Sequence, residues 1–288
     1  MTESGPEEAD KLNWWSELRG LAAMLLVVIS FHSLIAKPFY IPSISMMPNL
    51  LVGDRLIVSK YPYGWSWVSA SFHILPRNPT RVLPRTPEYG DVVILVPPNS
   101  DDDYIKRIVA LPGDRIAVVN GQIILNGRAI PQVVQPPIAV PVDTNEPCDP
   151  GIFPGAKFRD QMGREFCELP ILRETLPNGA SYDIIDHRDQ PLDHMDEIRV
   201  PEGHVFVMGD NRDHSADSRA ALYEKGLGGP VPLENIGGRA EFTTFSLDGS
   251  ETVNPLSWWP ALRKERSWRN LRPALEPQHM SPPIRASK

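Results

Sequence analysis

Two serines and one lysine are the residues of this sequence whose chemistry stands out. Ser43 and Ser45 lie two positions apart in a segment bounded by Pro42 and Pro48. Proline lacks a backbone donor and fixes φ, so this segment is extended or turning rather than helical, and it can offer a hydroxyl to another chain. A serine hydroxyl is a weak nucleophile at neutral pH, and it needs a base to take its proton.

Lys106 is the candidate base. The alternation of a β-strand from Tyr104 to Val109 places Lys106 on one face and Arg107 on the other. Two adjacent cations cannot both face a core unless both are paired. A desolvated lysine can lose its proton, whereas an arginine cannot. We therefore expect Lys106 to be the buried one; the alternative is a surface lysine whose alkyl chain covers apolar neighbours.

Other hydrolytic chemistries have weaker support. The Gly-x-Ser-x-Gly elbow is absent, and the histidines form no His-Glu-x-x-His metal site. His204 or His214 could complete a Ser-His-Asp triad, but neither lies in a triad signature. Structural ion pairs explain the carboxylates near His214 better than acid–base catalysis does, because arginines stand among them: Asp210, Asp213 and Asp217 with Arg212 and Arg219.

An apolar run precedes the serines and indicates how they are positioned. No charged residue occurs from Gly20 to Ala36, and Trp14 and Trp15 extend the run with a residue type favoured at membrane interfaces. The run is somewhat shorter than the ~20 residues of a usual spanning helix. We interpret it as an uncleaved anchor, with a cleaved signal peptide and a buried soluble helix as alternatives. Ser45 then lies within ~28 Å of chain from the membrane.

Beyond the anchor, the sequence is typical of a β-protein. Short β-branched runs bounded by Gly and Pro predict strands, and the Asn-Gly pairs at 120–121 and 126–127 predict hairpin turns. Residues 61–87 are rich in aromatics and proline and indicate a loop with room for a short hairpin. The predicted strands are 51–60, 91–96, 104–109, two within 116–130, 204–208 and 239–247.

Residues 131–200 are polar and Pro-rich, which indicates an inserted cap or subdomain. They contain both cysteines, Cys148 and Cys167. A disulfide between them would contribute ~3 kcal/mol in the chain-entropy model, and buried thiols are the alternative in a reducing compartment. Their spacing matches no zinc pattern.

Charge and the C-terminal segment bear on binding partners. The net charge of −7 argues against a nucleic-acid partner. Aromatic residues are interleaved with basic ones from Trp258 to Arg272, which is typical of a segment that lies on anionic lipid; a nucleic-acid patch is the alternative. We predict disorder for residues 273–288.

Three sequence boxes resemble those of the bacterial type I signal peptidases, membrane-anchored serine proteases that remove signal peptides. They are a nucleophile box at 42–50, a lysine box at 104–114 and a third box at 209–219, followed by a similar segment at 232–240. Because the boxes occur in the family's order and frame most of residues 40–240, the resemblance is specific.

The resemblance implies a role for each matching residue. Ser45 would be the nucleophile, and Lys106 would be the general base, acting as a neutral amine. Ser43 would donate its hydroxyl to the oxyanion beside the backbone N–H of Ser45. Ser215 would hydrogen-bond and orient the Lys106 amine.

The resemblance also implies supporting and substrate-binding residues. Asp217 and Arg219 would form an ion pair behind the lysine. Small apolar pockets would hold the substrate residues one and three before the cut, and a larger side chain would overfill them, which gives the small-x-small rule. These pockets would be lined by Ile41, Pro42, Met46, Leu50, Tyr104 and Ile105. No cofactor and no metal are implied.

The fold implied by the resemblance is mainly β: a single N-terminal transmembrane helix, then an all-β catalytic core with an inserted smaller β-domain. The protein would lie in the bacterial inner membrane with its catalytic domain in the periplasm, where a Cys148–Cys167 disulfide is favoured. Its partners would be secretory preproteins and membrane lipid. The predicted boundaries are 1–37 for tail and anchor, 38–119 and 201–256 for the core, 120–200 for the insertion, and 257–288 for a basic, aromatic tail.

Three positions depart from the family pattern. Ile44 stands between the serines where a small residue is usual, and strand alternation points it away from both hydroxyls. His214 replaces an asparagine beside Ser215, and residues 220–223 replace an aromatic pair. Two other classes compete: a self-cleaving Ser-Lys repressor, which would need a DNA-binding helical domain instead of the anchor, and a non-catalytic anchored β-module.

Overall fold

The predicted anchor is a single long helix. The structure, a computed structural model, describes residues 14–73 and 75–276. Helix α1 (Trp14–Leu34) has 21 residues, none of them buried, and at 1.5 Å per residue it is ~32 Å long, about the hydrocarbon thickness of a bilayer. Within the described ranges it is the one helix long and apolar enough to cross a membrane. The first thirteen residues, part of the predicted cytoplasmic tail, lie outside the described residues.

The remaining described chain is β-structure joined by loops and short 3-10 turns, which confirms the predicted mainly β fold. All pairs of named strands are antiparallel. In chain order the strands are β1 (Ala36–Tyr40), β2 (Asp54–Ser59), β3 (Val92–Leu95), β4 (Tyr104–Ala110), β5 (Arg115–Val119), β6 (Gln122–Leu125), β7 (Arg128–Ala129), β8 (Gln132–Pro141), β9 (Lys157–Arg159), β10 (Glu165–Thr175), β11 (Ala180–Ile184), β12 (His194–Arg199), β13 (His204–Met208), β14 (Val231–Pro232), β15 (Ile236–Ser246) and β16 (Ala274–Leu275).

Three sheets form the body. The largest has the strand order β1-β2-β15-β3-β4-β13-β14, so strands from before and after the insertion share one sheet. The second has the order β16-β11-β10-β8, with β9 also paired to β10, and the third has the order β12-β5-β6-β7. The largest sheet carries the lysine box on β4 and holds the nucleophile box between β1 and β2.

Both predicted Asn-Gly turns are present in the third sheet. Asn120 and Gly121 join β5 to β6 with φ of 50° and 77°, and Asn126 and Gly127 join β6 to β7 with φ of 52° and 74°. Positive φ at both central residues is what a type I′ hairpin turn requires. The β5–β6 hairpin spans the predicted boundary between the core and the insertion, which lies between residues 119 and 120. The predicted domain boundaries stay a prediction.

The insertion packs directly on the nucleophile box. Cys148 and Cys167 form a disulfide with a Cα–Cα distance of 5.5 Å. The two cysteines belong to an apolar cluster that also contains Met47 and Leu51, and the partly buried Ile44 packs against the same cluster. Ile44 therefore anchors the turn between the two serines to the insertion.

The C-terminal tail is bound to the body. Strand β16 falls in the segment predicted to be disordered; at Ala274–Leu275 that prediction is wrong, because these residues pair with β11. Trp259 and Trp268 are exposed, whereas residues 277–288 lie outside the described residues. Three of the basic residues form ion pairs with carboxylates of the body: Arg263 with Asp143, Arg266 with Asp54 and Arg272 with Glu241.

Candidate active site

The two serines lie on a tight turn between β1 and β2. Residues Ile44–Met46 form one 3-10 turn, in agreement with the predicted turning segment. Ser43 is exposed and Ser45 is buried, and their Oγ atoms are 3.3 Å apart. The carbonyl of Ser45 accepts a hydrogen bond from the Asn211 N–H at 3.1 Å, which ties the turn to the third box.

Lys106 reaches this turn from the middle of β4. Its side chain is buried, as predicted, with 4 % of the residue exposed. Its Nζ lies 3.0 Å from Ser45 Oγ and donates to the Ile105 carbonyl at 3.0 Å. The Tyr104 ring centre lies 5.5 Å from the same nitrogen. The amine is therefore within hydrogen-bond distance of the serine hydroxyl and is shielded from water.

Burial controls the ionisation of this amine. Desolvation lowers the pKa of Lys106 from 10.5 to about 8, while the more distant carboxylates of Asp217 and Asp210 act in the opposite direction. None of the ion pairs formed by the described residues includes Lys106. A shift of this size costs the protonated form roughly 3 kcal/mol, so the neutral amine is far more accessible near neutral pH than that of an exposed lysine.

Arg107 is buried as well, which the alternation alone did not predict. Its Nε and Nη2 donate to the two carboxylate oxygens of Asp210 at 2.7 and 2.6 Å, and its guanidinium lies 4.1 Å from the Tyr182 ring centre. Asn49 Nδ2 donates to the same carboxylate at 2.8 Å. Both cationic residues of β4 are buried, for different reasons. Arg107 is paired with a carboxylate, whereas Lys106 can lose its proton.

Asp217 and Arg219 form the ion pair that was expected. Arg219 Nε and Nη2 donate to the two Asp217 oxygens, each at 3.0 Å, and the Gly209 N–H donates to Asp217 at 3.0 Å. Burial alone would raise the pKa of Asp217, but the Arg219 guanidinium and these hydrogen bonds hold it below its usual value. The pair is therefore charged and fixes the backbone of the third box.

Gly209 is a position that the sequence reasoning did not single out. A Cβ there would lie 2.2 Å from Ser215 Oγ and 2.5 Å from the Ser45 carbonyl oxygen. Only glycine fits where the third box meets the nucleophile turn, and the glycine at the start of the box was the available signal. Ser215 Oγ is buried and has no hydrogen-bond partner among the described residues. Its expected bond to Lys106 is not formed here, and its orienting role stays a prediction.

The two candidate histidines do not contact the serine. A ring nitrogen of His204 lies 3.0 Å from the Glu202 carbonyl oxygen. His214 packs edge-on against Phe153. Within the described part of the chain, the side-chain contacts of Ser45 Oγ at hydrogen-bond distance are those to Lys106 and Ser43. This geometry favours a Ser-Lys arrangement over a Ser-His-Asp triad.

Four of the six expected substrate-binding residues belong to one apolar cluster beside Ser45 and Lys106: Ile41, Met46, Leu50 and Ile105. Each is at most 6 % exposed. Pro42 is exposed and Tyr104 is partly buried. A cavity of about 200 Å³ touches Met46 and Leu50, but neither serine nor Lys106 lines it. The structure thus gathers these residues near the turn, and their contact with substrate stays a prediction.

One acidic cluster among the described residues has metal-ligand spacing: Asp186, Asp193 and Asp213, with oxygens within 4.8 Å of one another. The Arg219 guanidinium lies 3.8 Å from Asp193, and His187 Nδ1 lies 2.6 Å from Asp213. Because protein side chains already face two of the three carboxylates, we assign no metal to this cluster.

Comparisons with known proteins point to one family. A family model described as "Signal peptidase, peptidase S26" matches residues 14–245, a span that contains all three boxes. The chain is 32% identical to "Signal peptidase I" of Rickettsia akari over 269 residues, which cover 90% of this chain and 85% of that protein. It is 32% identical to the protein of the same name from Rickettsia typhi over 254 residues, 84% and 82% of the two chains.

Among solved structures, the chain is similar to a signal peptidase I from Enterococcus faecalis. The sequence identity is 19% and the TM-score is 0.28, with 54% of this chain and 97% of that chain covered.

Proposed function

This chain belongs to the signal peptidase family, peptidase S26, and from that premise we propose that it is a membrane-bound serine endopeptidase that removes N-terminal signal peptides from secreted preproteins. The observation that carries the proposal is the 3.0 Å separation between Ser45 Oγ and Nζ of the buried Lys106. A hydroxyl beside a desolvated amine is the pair that Ser-Lys hydrolysis needs, because the amine can accept the proton at neutral pH.

The first step uses both members of the dyad. The neutral Lys106 amine takes the proton of the Ser45 hydroxyl while the serine oxygen attacks the scissile carbonyl carbon. The carbonyl π electrons move to the oxygen, and a tetrahedral intermediate forms. Ser43 donates its hydroxyl to this oxyanion, together with the backbone N–H of Ser45. The 3.3 Å separation of the two Oγ atoms supports this role for Ser43.

The second step releases the mature protein. The Lys106 ammonium gives its proton to the leaving amine as the C–N bond breaks, and the signal peptide stays bound to Ser45 as an ester. Lys106, neutral again, takes a proton from water, whose oxygen attacks the ester carbon. Lys106 then gives that proton to Ser45 Oγ as the bond between this oxygen and the ester carbon breaks, which releases the signal peptide and restores the serine hydroxyl and the neutral amine. The Asp217–Arg219 pair keeps the third box in place behind the lysine, and Ser215 orients the amine.

The anchor places this chemistry at the membrane surface. Helix α1 would cross the bacterial inner membrane, with the body on the periplasmic side, and β1 begins almost directly after α1 ends. The oxidising periplasm suits the Cys148–Cys167 disulfide. Substrates would be preproteins with small residues one and three positions before the cut.

Cleavage of a preprotein tests the proposal. We expect the full-length protein in detergent to cut a secretory preprotein once, after a small-x-small site, as read by the mass of the product. A matched preprotein with Leu in place of Ala just before the cut should react about tenfold more slowly or worse, because overfilling an apolar pocket costs ~1–3 kcal/mol. Cleavage of its own chain alone would favour the self-cleaving class, and no cleavage would favour a non-catalytic module.

The pH dependence of cleavage should follow the lysine. The neutral amine is the active form, and burial sets the pKa of Lys106 at about 8. We expect kcat/KM to rise with pH through one ionisation near 8 and to level off above it, so that activity at pH 6 is ~1% of the plateau. Initial rates on a peptide substrate between pH 6 and pH 10 measure this. A flat profile, or a midpoint at the 10.5 of an unperturbed lysine, would contradict the assignment.

Removal of the Ser43 hydroxyl should impair catalysis without unfolding the protein. In Ser43→Ala we expect kcat to fall by ~10²–10³-fold with KM nearly unchanged, because one oxyanion donor is lost. The melting temperature should not change, since Ser43 is exposed. Ser43→Thr, which keeps the hydroxyl, is the matched control and should retain more activity. A wild-type kcat in Ser43→Ala would exclude the residue from the oxyanion site.

A further inference from the structure

Residues 61–87 are fastened to the end of helix α1. Ser33, in the last turn of the helix, accepts a hydrogen bond from the Ser71 N–H at 3.0 Å, and the two Oγ atoms are 3.1 Å apart. Trp65 Nε1 donates to the Leu34 carbonyl at 2.9 Å. Because α1 is only about as long as the hydrocarbon layer is thick, its last turn lies at the membrane boundary. The bound loop is held at the same depth.

Two arginines fasten the same loop to the body. Arg77 donates to the carbonyls of Pro97, Pro98 and Ser100 at 2.6–3.1 Å. Arg81 donates to the Tyr63 and Gly64 carbonyls within the loop and to the Leu233 and Ile236 carbonyls of the body. The loop is therefore a brace between helix and body, and its position relative to the bilayer follows from that of α1.

Four apolar side chains of this loop point into solvent and form what we call the loop patch: Phe72, Leu75, Val82 and Leu83. Their exposed fractions are 84, 49, 58 and 67 %. Phe72 has φ 60° and Leu83 has φ 50°, a left-handed backbone that bulky residues rarely adopt. Leaving apolar side chains exposed on such a backbone is unfavourable in water, and contact with an apolar phase would remove the cost of exposure.

The charge of the loop fits a bilayer surface. Residues 61–87 contain three arginines and no aspartate or glutamate, in a chain whose net charge is −7. Basic segments next to a spanning helix are attracted to anionic lipid headgroups. Arg85, which is exposed, lies two residues from Leu83 of the loop patch.

We propose that the loop patch is a lipid-binding surface that enters the bilayer interface beside α1, with the exposed Arg85 facing anionic headgroups. The proposal rests on the membrane anchorage that is part of the proposed function. The brace between helix and body would then fix the depth of the body, and hence of Ser45, relative to the bilayer. This surface is separate from the dyad and from the tryptophans of the C-terminal tail.

A fluorescent probe at the loop patch tests the proposal. Both native cysteines are in the disulfide, so Phe72→Cys offers a single thiol for an environment-sensitive label such as NBD. The labelled full-length protein is placed in phosphatidylethanolamine–phosphatidylglycerol vesicles. Met162→Cys, an exposed position on the insertion, is the matched control, and Leu83→Cys is a second reporter. Preprotein cleavage in detergent checks that each variant is folded.

We expect blue-shifted emission at positions 72 and 83, quenched by lipids that carry a nitroxide, and aqueous emission without quenching at position 162. Emission at 72 and 83 equal to that at 162, in protein that floats with the vesicles, would overturn the loop patch and leave the anchor intact. Blue-shifted emission without lipid quenching would mean that another protein surface covers the patch, and would also overturn it. Protein that fails to float would overturn the anchor and the loop patch together, while cleavage in detergent would still stand.

Discussion

Lys106→Met is expected to abolish preprotein cleavage while leaving the protein as stable as the wild type or more stable. Loss of a general base alone lowers the rate by ~10²–10⁴-fold. Serine hydrolases lose most of their rate enhancement when one member of the reacting unit is missing. We therefore expect the cleavage rate to fall by at least ~10³-fold. Methionine has a similar length and no charge, so it fills the buried site without the desolvation cost that lowers the pKa of Lys106.

Two matched variants complete this experiment. Ser45→Ala should lose as much activity as Lys106→Met, and the double variant should lose no more, because the two groups act as one unit. Lys106→Arg keeps the charge but cannot give up its proton, and it should be inactive as well. Rates by single-turnover cleavage and melting temperatures by calorimetry measure both effects. A Lys106→Met protein that still cuts at a tenth of the wild-type rate would disprove the dyad, provided that it melts normally.

Glu174→Ala is expected to destabilise the protein by ~3–5 kcal/mol, because it leaves the buried Arg212 without its counter-ion. Glu174 is fully buried on β10 and Arg212 is 1 % exposed. Arg212 Nη1 donates to Glu174 at 2.7 Å, Arg212 Nη2 donates to the other oxygen, and Tyr182 and Gln132 also donate to this carboxylate. Burial alone would raise the pKa of Glu174, but the guanidinium holds it below its usual value.

A double-mutant cycle separates the pair from its surroundings. Glu174→Leu combined with Arg212→Met should be more stable than either single variant, because an apolar pair carries no uncompensated charge. Arg173→Ala is a matched control on the same strand: its salt bridge to Asp183 is partly exposed, and its loss should cost ~1 kcal/mol or less. Urea unfolding measures each free energy. A cost below about 1 kcal/mol for Glu174→Ala would show that Arg212 finds water or another partner.

The same pair connects the insertion to the candidate site. Arg212 lies in the third box, between Gly209 and Ser215, and Arg212 Nε donates to the Gly209 carbonyl at 3.1 Å. Glu174 lies on β10, a strand of the insertion. We therefore expect substitutions that weaken the Glu174–Arg212 ion pair to lower the rate of preprotein cleavage as well as the free energy of unfolding, since the third box positions the turn that carries Ser45.

Local sequence patterns determined the features of this protein that depend only on residues close together in the chain, namely its turns, strands and long helix. The Asn-Gly pairs gave the turns around β6, because few other residues accept positive φ at two successive positions. β-Branched runs gave the strands of the core, and the charge-free run before Lys37 gave α1. The spacing of Ser43 and Ser45 and the alternation along β4 put forward as candidates the two hydroxyls and the amine that the structure brings together.

The tertiary structure decided everything that depends on residues far apart in the chain. Arg107 is buried because strand order brings it to Asp210, and Arg212 is buried because the insertion delivers Glu174. The loop of residues 61–87 is attached to α1 through Ser33, and β16 is ordered because β11 offers an unpaired edge. No local pattern encodes these pairings, since the favourable energy of a buried charge pair or an edge strand exists only after the chain has brought both partners together.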